Sequence, residues 1–429
     1  MVVELDTTLA ELHTEYGISS PLVVDLYRTY THIDLHNNFP REKVFAEDED
    51  PLIYCTENDR ISRFKQWALN SRTIRHLPLV GPADVILYLP YNSRENIQRA
   101  LDQFPKHQRP NIQYINLDSP RMASERGRAI AGRSLVYWRP KSWMIGEDCV
   151  VPPGLSYLIN DKRFLAHPEI STPSLEMISL QEDDNSPVSL VEHSLPFVVK
   201  FCRCSSGQGT YIVGNEIERG RMLDAVHRYH KRGGTEVQLS EFISSTRPHY
   251  GVNFFVGSKD GPPPRFLGAT EQVVTKNGVW TGGVIDYGAQ RDLKEHLQDT
   301  IEAVARALQK VSYVGWVGID VIFDLGDQPL VVDLNARIAA GIGLVLFSKH
   351  FLSKGLPFAE MLTITFCGPA WIIYDMMAAE IKSGKVIITL SAEVTQAESV
   401  ASIVFGHQTR EGLKAMGCWI RDRVATCLN

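Results

Sequence analysis

No run in this 429-residue sequence approaches the ~18 consecutive apolar residues of a membrane span, so a helical membrane protein is excluded. No basic tract stands out, the net charge is −6 and the pI is about 6.1, which argues against a nucleic-acid partner. The seven cysteines (Cys55, Cys149, Cys202, Cys204, Cys367, Cys418 and Cys427) include no CxxC pair. They read as reduced packing residues rather than a disulfide framework or a metal knuckle. The opening stretch MVVELDTTLAELHTEYG is acidic and lacks an apolar segment, so it does not read as a secretory signal, and a cytoplasmic location is expected. There are no internal repeats and no low-complexity tracts.

What is present suits a soluble protein with a full core: 44% hydrophobic and 22% charged residues. The length predicts two to four domains. Residues 1 to about 155 alternate apolar runs with helical stretches, among them 51–55, 84–91 and 111–117 as strands and 93–104 as a helix. Strands separated by helices predict an open α/β sheet. No GxGxxG follows any of these strands, so a dinucleotide-binding domain is not expected.

The next segment, 158–178, carries Lys162 on a short helix for which Asn160 is the expected N-cap. An apolar strand, PFVVKFCRC (196–204), then delivers Lys200 and leads into SSGQGTYIV (205–213). Glycines in that loop let backbone amides approach an anion, though a plain hairpin turn fits the same letters. It is not a P-loop, because GxxxxGK[ST] is absent. A helix opened by Asn215 and Glu218 is followed by a strand over 236–243, ending at Glu241, Phe242 and Ile243, and another over 249–257. Asn277–Gly278 marks a hairpin within 268–288, and a long helix runs over about 291–310.

The most informative stretch is Trp316 to Arg337: WVGIDVIFD, a Gly/Asp/Pro break, then LVVDLNAR. It predicts a β-hairpin. Because side chains alternate along a strand, Asp333, Asn335 and Arg337 share a face. With a four-residue loop, Leu325 to Gln328, Asp320 falls opposite Asp333. Two carboxylates about 4 Å apart repel by roughly 4 kcal/mol at an effective dielectric near 20. Such a pair fits a site for Mg²⁺, which commonly takes one or two carboxylates and completes its shell with water and phosphate oxygens. A surface hairpin with solvated acids is the competing reading. Beyond it, a helix over about 341–354, strands over 385–390 and 399–406, and a helix over 410–423 are expected.

Taken in order, a helix lysine, a strand lysine, a Gly loop, Glu-x-Ile at a strand exit and an Asp…Asp-x-Asn-x-Arg hairpin resemble the ATP-grasp superfamily over about 156–350. The tail resembles, more weakly, the peptide-ligase branch typified by pheganomycin biosynthesis. The resemblance implies an α/β and α+β architecture. It would have an N-terminal pre-ATP-grasp domain (1–155), a nucleotide-binding and catalytic domain (156–350, with a lid at about 196–245) and a small C-terminal α+β substrate or lid unit (351–429).

It implies that Lys162 and Lys200 hold the phosphates of ATP, with Ser206, Gly207 and Gly209 closing over them. Glu241, Phe242 and Ile243 would receive the adenine, and His249 would reach toward the ribose. Asp320, Asp333 and Asn335 would hold Mg²⁺ or Mn²⁺. Arg337, with Lys200, would act on the transferred phosphate or the tetrahedral intermediate. The implied activity is an ADP-forming carboxylate–amine ligase acting on amino acids or peptides. A kinase, a carboxylate–thiol ligase or a non-catalytic nucleotide-binding module are the alternatives. Small-molecule substrates are the expected partners, with neither nucleic acid nor membrane, and a homodimer is compatible with the reading. Two departures stand out: Asp333 where Glu is more usual, and Gly318 where some relatives carry arginine.

Overall fold

A computed structural model describes residues 2–18, 20–26, 74–89, 93–180, 187–202, 209–231, 234–245, 247–274, 280–339, 341–395 and 397–425. The expected strand at 51–55, the Asn277–Gly278 turn, Ser206 and Gly207, and Cys55, Cys204 and Cys427 lie outside them.

The first sheet is parallel, with β1 (Leu22–Asp25), β2 (Asp84–Leu89), β3 (Asn111–Asn116) and β4 (Ser134–Tyr137) in the order β3-β2-β1-β4. Its central strands are buried and largely apolar, as a sheet covered on both faces requires, with buried Asp25 at the end of β1 paired to Lys141 at 2.7 Å. The helix Leu9–Glu15 starts with a reciprocal capping box between Thr8 and Glu11 and buries Leu9 and Leu12.

A second sheet, antiparallel, comprises β5 (Leu175–Ser179), β6 (Phe197–Phe201), β7 (Thr210–Val213) and β8 (Glu236–Glu241) in the order β5-β8-β6-β7. The helix Glu216–Lys231 lays Met222, Ala225, Val226 and Tyr229 against it, and Tyr229 stacks on Phe201 at 4.2 Å.

The eight-stranded sheet carries the site. It holds β9 (Tyr250–Val256), β10 (Arg265–Val274), β11 (Trp280–Asp286), β12 (Gly315–Phe323), β13 (Pro329–Asn335), β14 (Phe358–Cys367), β15 (Val386–Glu393) and β16 (Glu398–His407). Their order is β13-β12-β9-β10-β11-β14-β16-β15. The long helix, observed as Gln290–Lys310, buries Leu297, Ile301, Val304 and Leu308 against this sheet.

The last 75 residues, read as a small α+β unit, contribute β14, β15, β16 and the helix Arg410–Ala425. Their strands join the eight-stranded sheet where β14 pairs with β11. The far edge, β15, is guarded by one side chain of the first domain. Gln103 donates from Nε2 to the Ile388 carbonyl at 2.7 Å and accepts from the Ile388 amide at 3.1 Å. In place of a single helix over 341–354 there are two short ones, Ile342–Val345 and Ser348–Leu352. Among the described residues, no disulfide joins Cys149, Cys202, Cys367 or Cys418. Among the described residues, no helix is long and apolar enough to cross a membrane.

Candidate functional site

Asp320 on β12 pairs with Asp333 on β13, so the two carboxylates stand side by side on one face of the sheet. Asn335 lies one pleat further along, opposite Gly318. The route to this register differs from the expected one. The turn is five residues, Asp324–Gln328, closed by the Asp324 amide on the Gln328 carbonyl at 3.1 Å. Asp327 takes a positive φ of 63° there, while the Asp324 carboxylate accepts from the amides of Gly326 and Gln328. An odd loop would place Asp320 opposite Val332. A bulge after Asp320 absorbs one residue of β13 and brings Asp333 into line.

The bulge also exposes a carbonyl. Val332 O accepts from Lys200 Nζ at 2.6 Å, so the strand lysine of the second sheet reaches across to the hairpin. Lys162 bonds directly to Asp333 and is 5% exposed. Its segment is a 3₁₀ turn, Lys162–Ala166, capped by Asp161, whose carboxylate accepts from the Arg163 amide. The Lys162 amide donates to Cys202 O at 2.8 Å, which ties the turn to the end of β6.

Asn160 is therefore not the N-cap expected from the sequence. It ends the preceding helix, Pro153–Ile159, and its Oδ1 accepts from Arg337 Nη1. The reason is local: Asp161, one residue later, carries the charge that better satisfies first-turn amides. Arg337 also lies over the Trp138 ring, 5.9 Å from its centroid, just past the end of β4.

The surroundings push the two carboxyls in opposite directions. Burial, then the neighbouring Asp333, push the Asp320 carboxyl up to about 7. Burial would raise Asp333 as well, but Lys162, Lys200 and Arg337 outweigh it and hold that carboxyl below the usual range. Burial and the nearby Lys162 lower Lys200 to about 8, against the pull of Asp333 and Asp320.

Two carboxylates and an amide carbonyl on adjacent pleats are hard oxygen donors, and a divalent cation there would cancel the repulsion that raises Asp320. Below pH 7 Asp320 takes up a proton and must release it to bind a cation. Mn²⁺ affinity measured without nucleotide should therefore be at least about threefold weaker at pH 6 than at pH 8. Equal affinities would contradict this assignment.

The other expected residues occupy flanking positions. Glu241 ends β8, its amide on Ser174 O at 2.9 Å, with half-buried Phe242 and Ile243 following. Gly209, at φ 65°, receives the Phe201 amide on its carbonyl at 2.9 Å. His249 is exposed just before β9, and its carbonyl accepts from the Gln272 amide at 2.9 Å. The Gly318 departure has a steric cause, since a Cβ there would stand 2.6 Å from the Ala339 Cβ. The sequence reading missed Gln272, whose Nε2 donates to Asp320 Oδ1 at 2.6 Å, and buried Asn253 on β9. Alternation from Asp320 into a neighbouring strand could have found them only if the strand order had been known.

Residues 173–335 match the family model of the L-aspartate–L-methionine ligase ATP-grasp domain. No curated protein matches the chain. Among solved structures, N5-carboxyaminoimidazole ribonucleotide synthetase from Thermus thermophilus is similar at 17% identity, with 83% of this chain and 95% of that one covered and a TM-score of 0.50. L-amino acid ligase from Bacillus licheniformis is similar at 12% identity, 94% and 98% coverage and a TM-score of 0.50. Biotin carboxylase from Campylobacter jejuni is similar at 10% identity, 93% and 90% coverage and a TM-score of 0.52. At such identities the structural likenesses establish the fold. That fold is the ATP-grasp fold, and the family match covers residues 173–335 of the chain.

Proposed function

We propose that the chain is an ADP-forming carboxylate–amine ligase. The observation that carries this reading is the meeting of Asp320, Asp333, Lys162, Lys200 and Arg337 at one point between two sheets. Lys162 and Lys200 would hold the ATP phosphates, and Glu241, Phe242 and Ile243 the adenine. Asp320, Asp333 and Asn335 would hold Mg²⁺, which when bound neutralises phosphate charge.

The reaction has two steps. A carboxylate oxygen attacks the γ-phosphorus, the bond to the bridging oxygen breaks, and ADP leaves. An amine nitrogen then attacks the acyl carbon, the C–N bond forms, and phosphate departs with the electron pair of the broken C–O bond. Positioning and charge neutralisation by the lysines and Arg337 do most of the work. The acylphosphate must be shielded from water, and the sheet β5–β8 and the C-terminal strands would serve as its lids.

The family description favours amino acid substrates, with L-aspartate as acyl donor and L-methionine as amine the first pair to try. The same proposal divides the chain at about 155 and 350. Enzyme, ATP, Mg²⁺ and the correct acid should give a hydroxamate with hydroxylamine and release ADP. Release of AMP would rule out the acylphosphate route, and a stable phosphorylated product would favour a kinase.

A further inference from the structure

Asn253 sits at the middle of β9, between Gly318 of β12 and Gly268 of β10. It is 2% exposed, and among the described residues its Oδ1 has no hydrogen-bond partner. The orientation of the amide is fixed by its other end, because Nδ2 donates to Gly251 O at 3.3 Å and a flipped amide would set oxygen against oxygen. Oδ1 looks across Gly318 toward Asn335. A Cβ added at Gly318 would stand 3.8 Å from Asn253 Oδ1 and 3.9 Å from Asn335 Cβ. Above it runs the chain segment that follows Arg337, with Gly341 so close that a Cβ there would approach Nδ2 to 3.4 Å. Asn253 is thus one pleat from the paired aspartates and beneath the arginine loop. Its neighbours on this side, Thr270 and Gln272, are also uncharged.

A buried acceptor without a partner costs about 1–3 kcal/mol. Such a cost is tolerable at a site where a ligand supplies the missing donor. Of the groups that meet at the reacting end, the triphosphate and the acyl carboxylate offer only acceptors. Among the reacting groups the incoming amine is the one that brings N–H; the α-ammonium of an amino-acid acyl donor brings it too, and the amine-free ADP burst below tells the two apart.

We propose that Asn253 receives the attacking amine, accepting an N–H on Oδ1 so that the nitrogen lone pair faces the acyl carbon. This rests on the ligase reading, and the test separates the two. The first arm is a single-turnover burst of ADP from wild-type enzyme with ATP, Mg²⁺ and L-aspartate, or another acid that a screen identifies, without any amine. Its absence for every acid would overturn the ligase reading and this one with it.

The second arm measures KM for the acceptor, L-methionine or, if that is not taken, hydroxylamine. Asn253→Ala should raise that KM at least about tenfold while leaving the amine-free ADP burst, the KM for ATP and the Mg²⁺ dependence within about twofold. Asn253→Ser, whose hydroxyl still accepts and adds no charge beside the aspartates, should recover part of the lost acceptor affinity. An unchanged acceptor KM in Asn253→Ala would overturn the proposal. A shift of similar size in Mg²⁺ or ATP dependence would do so too, because it would place the oxygen at the cation or the nucleotide instead.

Discussion

Asp333→Ala should lower turnover by about 10³-fold or more, and it should do so without weakening metal-free nucleotide binding. Both halves follow from the partners of Asp333. Its carboxylate lies beside Asp320 and is bonded to Lys162, so under the proposed function it would serve the cation and neutralise a phosphate-binding lysine at once. Removing it takes away one of two charged ligands for a divalent ion, and with it most of the charge stabilisation of phosphoryl transfer. Removing it also frees Lys162 for an anion, so metal-free ATP should bind as tightly as to wild type or a few-fold tighter. Lys162→Ala should show the opposite pattern, with nucleotide affinity lost first. ADP release in a coupled assay and calorimetric titration of ATP in EDTA read the two halves. Turnover within tenfold of wild type in Asp333→Ala would mean that this hairpin is not the site.

Asp320→Asn should stabilise the ligand-free protein while abolishing turnover. In the fold Asp320 titrates near 7, raised from the usual carboxylate range by burial and by Asp333. A carboxyl raised in this way favours the folded state while it is protonated. That advantage fades as pH rises from the unfolded value toward 7, and above 7 the ionised group is a liability. An asparagine carries no such liability and still offers an oxygen to Gln272 Nε2, now 2.6 Å from Asp320 Oδ1. The expected gain at pH 7.5 is roughly 1–3 kcal/mol, seen as a higher unfolding midpoint. The gain should shrink as pH is lowered toward 4 and be offset by Mn²⁺ plus nucleotide, which stabilise the wild type more than the variant. An equal or lower midpoint for Asp320→Asn at pH 7.5 would show that the carboxylate pair is not under strain.

The hairpin was legible in the sequence because two runs rich in Val, Ile and Phe flank a short Gly/Asp/Pro break. The opposition of Asp320 and Asp333 followed from it, but by a route the letters do not show. A loop of five rather than four residues is compensated by a bulge, and bulges are set by the neighbouring strand and by Lys200 reaching Val332 O. The two lysines were legible by their order along the chain. Their convergence was not, since it depends on how the second sheet packs against the hairpin.

Asn160 illustrates a local rule misapplied by one residue. It reads as an N-cap, yet Asp161 takes that place and frees Asn160 to hold Arg337. Asn253 and Gln272 gave no signal at all, because they enter the site through strand order, and β9 and β10 are remote in sequence from Asp320. The same holds for β15 and β16, which read as strands from their apolar runs while nothing local says which sheet they join, and β14 was not read from the sequence.

The central claim is that the aspartate pair gathers a divalent ion against the nucleotide phosphates. Mn²⁺ binding in the presence of ADP, followed by electron paramagnetic resonance in wild type and in Asp320→Asn, tests it most directly. The account predicts one or two bound ions in wild type, a loss of at least about tenfold in Mn²⁺ affinity in the variant, and unchanged metal-free ADP binding in both. Equal Mn²⁺ uptake by the two proteins would contradict it.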